Sequence, residues 1–240
     1  MRADVFLVKR GFATSRAQAQ SAIVAGCVRA DGVLITKPSH VLHDGAQIAY
    51  APAHPYVSRG ALKLIAGLDR FAICPQDKIC LDLGASTGGF TQVLLERGAA
   101  RVYAIDVGRR QLNPGLAADP RVIVREGLNA RELSSVDVPE PVDIIVADLS
   151  FISVKLALGP ALNLCREGAR LVALVKPQFE VGRAKIAKRG IVRDAEARAA
   201  AVTDVAAWLI SLSWSVEGVI ESPIAGGSGN REYLLAARQA

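Results

Sequence analysis

The sequence predicts an α/β protein: a doubly wound, mostly parallel sheet with an antiparallel last strand, preceded by a small α+β domain. Three observations lead to this prediction. From residue 78 onward, short apolar runs alternate with helical stretches, which is typical of a parallel sheet with crossover helices. The last two apolar runs have no helix between them, so the final strand must pair antiparallel. A proline-rich joint at residues 51–56 follows a more basic N-terminal segment.

The amino-acid composition is that of an ordinary folded protein with a basic surface. The chain has 240 residues, of which 51% are hydrophobic and 22% charged, and these values argue against extensive disorder. Its 29 lysines and arginines exceed its 23 acidic residues, which gives a net charge of +6. Such a charge favours an anionic partner, either a nucleic acid or an acidic membrane surface.

The positive charge is concentrated near the N-terminus. Residues 1–57 carry six lysines and arginines but only three acids, so this short segment holds half of the net charge. We therefore predict an N-terminal domain at residues 1–50, an extended linker at 51–57 and a larger domain at 58–240.

Cysteine spacing and hydropathy exclude several classes of protein. The four cysteines form no Cys-x-x-Cys pair and have no histidine placed as a co-ligand, so we expect four buried free thiols rather than disulfides or a zinc site. No apolar run reaches the ~18 residues that a membrane span requires. The apolar region at the N-terminus is too short for a signal peptide, so we expect a cytoplasmic protein.

The N-terminal domain is predicted to contain two short helices and a small sheet. Ser15 and Gly26 flank the second helix as an N-cap and a C′ glycine, and its residues Arg16 and Gln20 are expected to face solvent. The turn Asp31-Gly32 predicts a hairpin. The expected elements are helices at 4–9 and 16–25 and strands at 28–30, 33–35 and 46–49.

This arrangement resembles the S4 fold, a small RNA-binding fold named after the fourth protein of the small ribosomal subunit. Arginine and lysine on a helix can follow the phosphate backbone of a structured RNA. We therefore expect RNA contacts from Lys9, Arg10 and Arg16, the alternative being a solvated helix face that binds nothing. The residues that carry the resemblance are Ser15-Arg16, Ala19, Ile23, Gly26, Val28, Asp31-Gly32 and Lys37-Pro38.

The larger domain has the element order of a Rossmann-like methyltransferase sheet, because its last two strands follow each other without a helix. Dehydrogenases usually lack this ending. The predicted strands are 78–83, 101–105, 122–124, 143–147, 170–175, 215–219 and 233–237, and the predicted helices are 90–97, 111–118, 154–165 and 195–212.

A glycine-rich loop follows the first of these strands, in the segment Asp82-Leu-Gly-Ala-Ser-Thr-Gly-Gly-Phe90. Glycine lets the backbone approach a ligand closely, and Asp82 adds a carboxylate at the end of the strand. A dinucleotide fingerprint would have glycine at position 86, where serine stands, so the phosphate-binding version of the motif is imperfect. S-adenosylmethionine offers a cationic sulfonium and an amino group instead of phosphates, and both suit an acidic glycine loop.

S-adenosylmethionine is therefore the expected cofactor. Asp106 ends the second strand, 22 residues after Gly84, where a carboxylate can accept hydrogen bonds from ribose hydroxyls; its alternative role is a helix N-cap. Asn129 is a candidate for the adenine pocket. The candidate cofactor-binding residues are Asp82, Gly84, Ala85, Ser86, Gly88, Phe90, Asp106, Asn129 and Asp148.

Two lysines and two carboxylates are expected to converge at one edge of the sheet. Asp148 and Lys176 each follow a buried parallel strand, beside the cofactor cleft. Glu232 begins the antiparallel last strand and so lies at the same edge, while Lys63 is on the helix before the first strand. Taken singly, each residue has a structural alternative. Lys63 could be a helix lysine whose ammonium reaches the surface, and Asp148 could be a helix cap. Lys176 could be a surface charge, and Glu232 an edge-strand guard, that is, a charge that prevents an edge strand from pairing with another chain. Together they favour an active site.

These four residues suit the activation of a ribose 2′-hydroxyl, which is a poor nucleophile until it loses its proton. Lys176 is the expected base, or else the group that stabilises the alkoxide. Asp148 and Glu232 are expected to orient Lys176, and Lys63 to position the ribose. This chemistry requires no metal.

Other methylation chemistries fit the sequence less well. Enzymes that methylate amino groups of nucleic acids typically have an Asn/Asp-Pro-Pro-aromatic loop after the fourth strand, where this chain has Asp148-Leu-Ser-Phe151. Methylation of cytosine C5 uses a nucleophilic cysteine in that region, whereas Cys165 is expected at the end of a helix.

Five segments resemble the TlyA family of bacterial rRNA cytidine 2′-O-methyltransferases, which are sometimes named hemolysins and have an FtsJ-like catalytic domain. The resemblance implies a Lys-Asp-Lys-Glu tetrad, which falls on the same four residues. It also implies a ribosomal subunit as the substrate, with cytidines at the subunit interface as targets. The segments are Val57-Ser-Arg-Gly-Ala-Leu-Lys63-Leu, Asp82-Leu-Gly-Ala-Ser-Thr-Gly-Gly-Phe90, Val146-Ala-Asp148-Leu-Ser-Phe-Ile-Ser153, Leu174-Val-Lys176-Pro-Gln-Phe-Glu180 and Gly229-Asn-Arg-Glu232-Tyr.

The length of the chain bears on the expected target within this family. The shorter form of the family resembles enzymes that act on large-subunit (23S) rRNA only, whereas the longer form also modifies the small subunit (16S). Because this chain starts shortly before Asp4 and ends shortly after Glu232, we expect the short form and a large-subunit target.

A basic, glycine-containing segment follows Lys176 and is expected to close over RNA, the alternative being a solvated loop. Its basic residues are Arg183, Lys185, Lys188, Arg189 and Arg193, and Arg59 is a further expected RNA contact. Two other functions stay open. One is a cytolysin, which the name hemolysin suggests, and the other is a non-catalytic rRNA-binding assembly factor.

Overall fold

The computed structural model describes residues 1–182, 186–187, 190–226 and 229–240. The chain divides into two compact units, Met1–Arg59 and Gly60–Ala240. The predicted domain limits of 1–50 and 58–240, with a linker at 51–57, stay a prediction.

The N-terminal unit contains two helices and a small antiparallel sheet of strand order β2-β1-β3. Ser15 Oγ accepts a hydrogen bond from the Gln18 backbone N–H at 3.2 Å, so the predicted N-cap is confirmed. Gly26 follows the second helix with φ +74°, a conformation that favours glycine. The elements are α1 (Ala3–Lys9), α2 (Arg16–Val24), β1 (Val28–Ala30), β2 (Val33–Leu34) and β3 (Ile48–Tyr50).

Arg16 is exposed, as expected, whereas Gln20 is partly buried, and both side chains also reach a buried carboxylate on α1 that the sequence did not predict. Asp4 is fully buried and accepts hydrogen bonds from Arg16 Nη2 at 3.0 Å and Gln20 Nε2 at 2.8 Å. A third bond comes from Arg2 Nε at 3.0 Å, and this contact chiefly holds the pKa of Asp4 well below its usual range. A buried charge requires such partners, and they join α1 to α2.

The C-terminal unit is an α/β sheet domain. In the described residues, seven strands form one sheet in the order β6-β5-β4-β7-β8-β10-β9. Its elements are α3 (Gly60–Arg70), β4 (Ile79–Leu83), α4 (Gly89–Glu96), β5 (Arg101–Asp106), α5 (Pro114–Ala117), β6 (Val122–Glu126), a 3₁₀ turn (Ala130–Glu132), β7 (Val142–Ala147), α6 (Val154–Leu162), β8 (Cys165–Val175), α7 (Pro177–Glu180), α8 (Ala195–Ser211), β9 (Trp214–Glu221) and β10 (Tyr233–Gln239).

Strand directions confirm the predicted Rossmann-like methyltransferase sheet. Strands β4 to β8 pair with one another in parallel, and β10 lies antiparallel between β8 and β9. In the register of β10 with β8, Tyr233 is opposite Val175. Glu232 and Lys176 therefore stand just beyond these partners, at the carboxyl edge of the parallel strands.

Helices pack against this sheet through apolar side chains, and α3 lies close to β8. A core cluster joins β4 and β5 to α6 and α8 through side chains that include Leu81, Ile105, Leu158 and Leu209. The helix α3 packs close to β8, since a Cβ built on Gly67 would lie 3.0 Å from Val172 Cγ1.

Two predicted helices are shorter than expected. The helix expected at 111–118 is only the short α5, because the Glu126 carboxylate accepts hydrogen bonds from the backbone N–H groups of Gln111 and Leu112 at 2.8 and 3.0 Å. Asn113 then caps the helix, with Pro114 at its first position. The helix expected to reach Cys165 ends at Leu162, and Cys165 instead begins β8.

The expectation of four buried thiols is also wrong. All four cysteines are free, but only Cys80 is buried; Cys27 and Cys165 are partly exposed and Cys74 is exposed. Within the described ranges, no helix is both long and apolar enough to cross a membrane.

Candidate active site

The sheet brings the four predicted catalytic residues to one place through four separate elements. Lys63 lies on the first turn of α3, Asp148 directly follows β7, Lys176 directly follows β8 and Glu232 directly precedes β10. Since β7 and β8 are parallel and β10 runs the opposite way, all three strand-borne residues meet at the carboxyl edge.

These residues form a continuous chain of contacts. Lys63 Nζ donates to Glu232 Oε2 at 2.6 Å and lies 3.9 Å from Asp148 Oδ2. The other oxygen, Asp148 Oδ1, lies 2.6 Å from Lys176 Nζ. Asp148 therefore stands between the two lysines, and Glu232 completes the pairing of charges. An arrangement of two cations and two anions can be buried because each charge has an opposite neighbour.

Burial argues against the structural alternatives for each residue. Lys63 is 6%, Lys176 7% and Glu232 3% exposed, so none is a surface charge. Glu232 cannot be an edge-strand guard, because β10 lies inside the sheet. Asp148 does not cap a helix, since α6 begins only at Val154 with Ser153 as its N-cap.

One expected contact is different in the structure. Glu232 was expected to orient Lys176, but its observed lysine partner is Lys63. The reason is the position of α3, which puts Lys63 beside the start of β10. The Glu232 carboxylate also packs against Gly226, where an added Cβ would lie 2.2 Å from Oε1. A side chain at position 226 would therefore displace this carboxylate.

Two residues after Asp148 belong to the site but were not predicted. Ser150 Oγ accepts a hydrogen bond from Lys176 Nζ at 2.8 Å. Phe151 is 93% exposed and has φ +66°, a strained value for a bulky residue, and its ring lies 5.4 Å from that of Phe179. An exposed aromatic ring beside the lysine–carboxylate chain can stack on a base. The sequence feature that could have indicated Phe151 is the aromatic residue at the end of the Asp148-Leu-Ser-Phe151 loop.

Asp82, at the end of β4, has the features of a carboxylate that lacks a cation. It is fully buried, and Thr91 Oγ1 donates to its Oδ2 at 2.6 Å. In the part of the chain that the structure describes, Asp82 Oδ1 has no hydrogen-bond partner. Burial raises the pKa of Asp82 to about 7, and the nearby charges of Asp148 and Asp106 add to this effect.

The glycine loop after β4 is held by Asp106. Its Oδ2 accepts from the Ser86 backbone N–H at 2.8 Å and its Oδ1 from that of Gly108 at 2.7 Å. The alternative role of Asp106 as a helix cap is therefore not observed. Ser86 has φ +48°, so it adopts the left-handed conformation of the glycine that the fingerprint would have. At Gly84, an added Cβ would lie 2.7 Å from the Asp148 carbonyl oxygen, so this glycine lets the loops after β4 and β7 meet.

The remaining cofactor candidates have defined places in the same unit. Ala85 and Phe90 are buried, and Gly88 is the N-cap of α4 with φ +98°. Asn129 caps the 3₁₀ turn, its Oδ1 accepting from the Arg131 backbone N–H at 3.1 Å. Within the described residues, no group of three or more potential metal ligands is present.

The RNA-binding candidates divide between the two units and the undescribed segment. Lys9, Arg10, Arg16 and Arg59 are exposed. Arg10 is partly fixed, because its guanidinium lies over the Phe6 ring at 5.4 Å and donates to the Asp44 carbonyl. Arg193 is exposed just before α8. The other four candidates lie outside the described residues: Arg183, Lys185, Lys188 and Arg189.

Comparisons with known proteins agree with this architecture. The FtsJ-like methyltransferase family matches residues 56–239, and the S4 domain matches residues 1–48. The 16S/23S rRNA (cytidine-2′-O)-methyltransferase TlyA of Mycobacterium tuberculosis is 47% identical over 239 residues, 99% of this chain and 89% of that protein. Hemolysin A of Brachyspira hyodysenteriae is 38% identical over 235 residues, 98% of each chain. A solved structure from Streptococcus thermophilus, described as a hemolysin, has a TM-score of 0.81 and 39% identity and covers 100% of this chain and 88% of that one.

The sheet, its carboxyl-edge site and these matches define the chain as an FtsJ-like methyltransferase with an S4 domain. Within this class it belongs to the TlyA family, which confirms the resemblance seen in its sequence motifs.

Proposed function

We propose that this enzyme transfers a methyl group from S-adenosylmethionine to the ribose 2′-hydroxyl of a cytidine in ribosomal RNA. The observation that carries the proposal is the buried chain Lys63–Glu232 and Asp148–Lys176 at the carboxyl edge of a methyltransferase sheet. The proposed target is the large ribosomal subunit. The M. tuberculosis relative is named for both 16S and 23S rRNA, so the small subunit is the second substrate to test. This substrate implies a cytoplasmic enzyme.

The residues around Asp82 fit the proposed cofactor. Asp82 has a buried oxygen with no hydrogen-bond partner in the described residues, and its pKa is raised chiefly by burial and further by the charges of Asp148 and Asp106. A cationic ligand would relieve this repulsion and supply the missing partner. Asp82 would take the amino or sulfonium end of the cofactor, and Asp106 its ribose.

The backbone of the glycine loop supports the same proposal. The loop at Gly84, Ala85, Ser86 and Gly88 would let the backbone approach the cofactor closely, and Asn129 would contact the adenine. Phe90 would support the loop from its buried place on α4. When bound, the cofactor supplies a methyl group on a sulfonium centre, and the neutral thioether that remains is a good leaving group.

The chain's own residues would then activate the ribose. Lys176 would take the proton of the 2′-hydroxyl or, as an ammonium ion, stabilise the alkoxide as the oxygen attacks the methyl carbon. Contacts with Asp148 and Ser150 fix the position of Lys176 Nζ. A lysine ammonium has three N–H donors, so one remains for a ribose oxygen. Lys63, held by Glu232, would position the ribose.

RNA recognition is proposed to use the N-terminal unit, called the S4 unit from here on, and the exposed Phe151 ring beside the site. Lys9, Arg10 and Arg16 are exposed on the S4 unit and Arg59 at its end; such cations contact phosphates with little dependence on base sequence. Phe151 would stack on the target cytidine or a neighbouring base.

The proposal is tested with labelled S-adenosylmethionine and ribosomal subunits from a strain that lacks the enzyme. We expect label on a cytidine ribose of the large subunit, located by mass spectrometry, with the small subunit assayed in parallel. Label on a base rather than a ribose, or no label at saturating cofactor, would contradict it. Tight subunit binding without methyl transfer would instead identify a non-catalytic assembly factor.

The cytolysin alternative is tested with dye-filled vesicles. We expect the pure protein to cause no leakage, because its candidate catalytic groups lie in a buried charged site of a methyltransferase sheet. Strong leakage would favour the cytolysin.

A further inference from the structure

Glu180 connects the two segments that carry the central pair of the site. It ends α7, one turn after Lys176. Its carboxylate reaches the other segment, which follows Asp148: Oε2 accepts from Ser153 Oγ at 2.6 Å and Oε1 from the Val154 backbone N–H at 2.8 Å. The segment after β8 and the segment after β7 are therefore joined at this point as well as at Lys176.

The contact supplies a cap that α6 lacks in its own sequence. Ser153 is the N-cap residue of α6, but its side chain makes no capping hydrogen bond within the helix. The first N–H groups of a helix have no partner inside it, and a carboxylate there is favoured by the helix dipole. Glu180 provides that carboxylate from a distant part of the chain.

The cap fixes the far end of the loop that holds the catalytic groups. This loop starts at Asp148, which is anchored by β7, and ends at Ser153, which is anchored by Glu180. Between these ends lie Ser150, which binds Lys176, and Phe151, which is strained and exposed. A strained residue persists only where its surroundings hold it, and Glu180 is one of the groups that do so.

We propose that Glu180 is a positioning residue for methyl transfer. Through Ser153 and Val154 it holds the loop after β7, and so keeps Asp148 and Ser150 at their distances from Lys176. This inference rests on the proposed function, because it assigns Glu180 a role through Lys176. The lysines of the site pair with Glu232 and Asp148, whereas Glu180 contacts Ser153 and Val154, so Glu180 should affect the rate of transfer rather than the binding of the cofactor.

The test measures kcat and KM for Glu180→Ala and Glu180→Gln on large subunits from a strain lacking the enzyme. We expect Glu180→Ala to lower kcat roughly tenfold or more, because small displacements of reacting groups have large effects on rate. The KM for S-adenosylmethionine should stay within about twofold, since the cap does not touch the glycine loop. Glu180→Gln should keep kcat within about threefold of wild type. Its amide oxygen can accept from the Val154 backbone N–H, and its amide NH2 can donate to Ser153 Oγ.

Two controls separate positioning from loss of folding. Glu167→Ala removes an exposed carboxylate near the start of β8, at the opposite end of that strand from Lys176, and should leave kcat unchanged. Ser153→Ala removes only one of the two hydrogen bonds, so it tests the proposal even if Glu180→Ala does not fold. We expect this variant to lower kcat by about threefold at unchanged KM for the cofactor.

The possible outcomes distinguish this inference from the proposed function. If the wild type methylates and Lys176→Ala does not, but Glu180→Ala and Ser153→Ala keep the full rate, only the role of Glu180 is overturned. Equal loss of kcat in Glu180→Ala and Glu180→Gln would also overturn it, because the hydrogen bonds would not be the cause. If the wild type transfers no methyl group to rRNA, the proposed function fails and the role of Glu180 fails with it.

Discussion

Lys176 Nζ lies 2.6 Å from Asp148 Oδ1, although the two residues follow different strands of the sheet. Their meeting depends on the parallel pairing of β7 and β8, which ends both strands at one edge. Asp148 also lies 3.9 Å from Lys63, which links the pair to Glu232. The activity of the enzyme should therefore depend on this bridging carboxylate as strongly as on the lysine.

Asp148→Asn should lower kcat by about 100-fold, a loss typical of misplaced acid–base groups. Asparagine keeps the size of the side chain but removes the charge that holds both lysines. Single-turnover transfer to ribosomal subunits measures the effect, and calorimetry with the cofactor shows whether binding is retained. A rate within threefold of wild type would show that Asp148 does not position Lys176.

Glu232→Gln should destabilise the C-terminal unit, because it leaves Lys63 buried beside a neutral group. Removing one partner of a buried ion pair costs about 3–5 kcal/mol. Asp148 is a second, more distant partner of Lys63, so we expect the lower end of that range. The double variant Lys63→Met/Glu232→Leu should unfold at a higher denaturant concentration than Glu232→Gln. The pairing would be contradicted if the losses of stability in Lys63→Met alone and Glu232→Leu alone added up to the loss in the double variant.

Cofactor binding should strengthen as pH rises from 5 to 7. Burial raises the pKa of Asp82 to about 7, so the carboxyl of the free enzyme is largely protonated at pH 5, and a cationic ligand favours its ionised form. For the same reason the free energy of unfolding without cofactor should fall as pH rises from about 4, the unfolded pKa, to about 7. Asp82→Asn should remove both dependences. Calorimetric titration at several pH values checks this, and a flat wild-type profile would contradict it.

Phe151→Ala should weaken the use of rRNA without unfolding the protein. The ring is 93% exposed, so its removal costs little packing. Stacking of a base on an aromatic side chain contributes about 1–3 kcal/mol, so we expect KM for the ribosomal subunit to rise roughly tenfold or more. Val136→Ala, at another exposed apolar residue, is the matched control. An unchanged KM and kcat for Phe151→Ala would exclude stacking by this residue.

Much of the fold, and the meeting of Asp148, Lys176 and Glu232, could be predicted because both depend on strand order. Residues that directly follow β7 and β8 must meet at one edge, whatever their neighbours are, and an antiparallel β10 brings Glu232 there. The contacts of Ser150 and Glu180 depend instead on loop conformation. Neither Phe151 at φ +66° nor the reach of Glu180 to Val154 follows from spacing along the chain.

The structure also differs from other expectations because spacing along the chain does not predict contacts between distant segments. Arg16 and Gln20 lie on the helix face that periodicity directs to solvent, but the buried carboxylate of Asp4 comes from another helix. The helix predicted from residue 111 is shortened by Glu126, which is distant in sequence and binds the backbone there. Contacts between segments that are distant in sequence therefore determine these features, which local sequence patterns do not predict.

The most direct test of the proposed mechanism is the rate of methyl transfer by Lys176→Ala in a single turnover, with the modified nucleotide located by mass spectrometry. We expect cofactor binding to be retained, while 2′-O-methylation of the target cytidine falls by about 100-fold or more relative to wild type. A Lys176→Ala enzyme that methylates the same cytidine at the full rate would show that Lys176 does not activate the ribose hydroxyl.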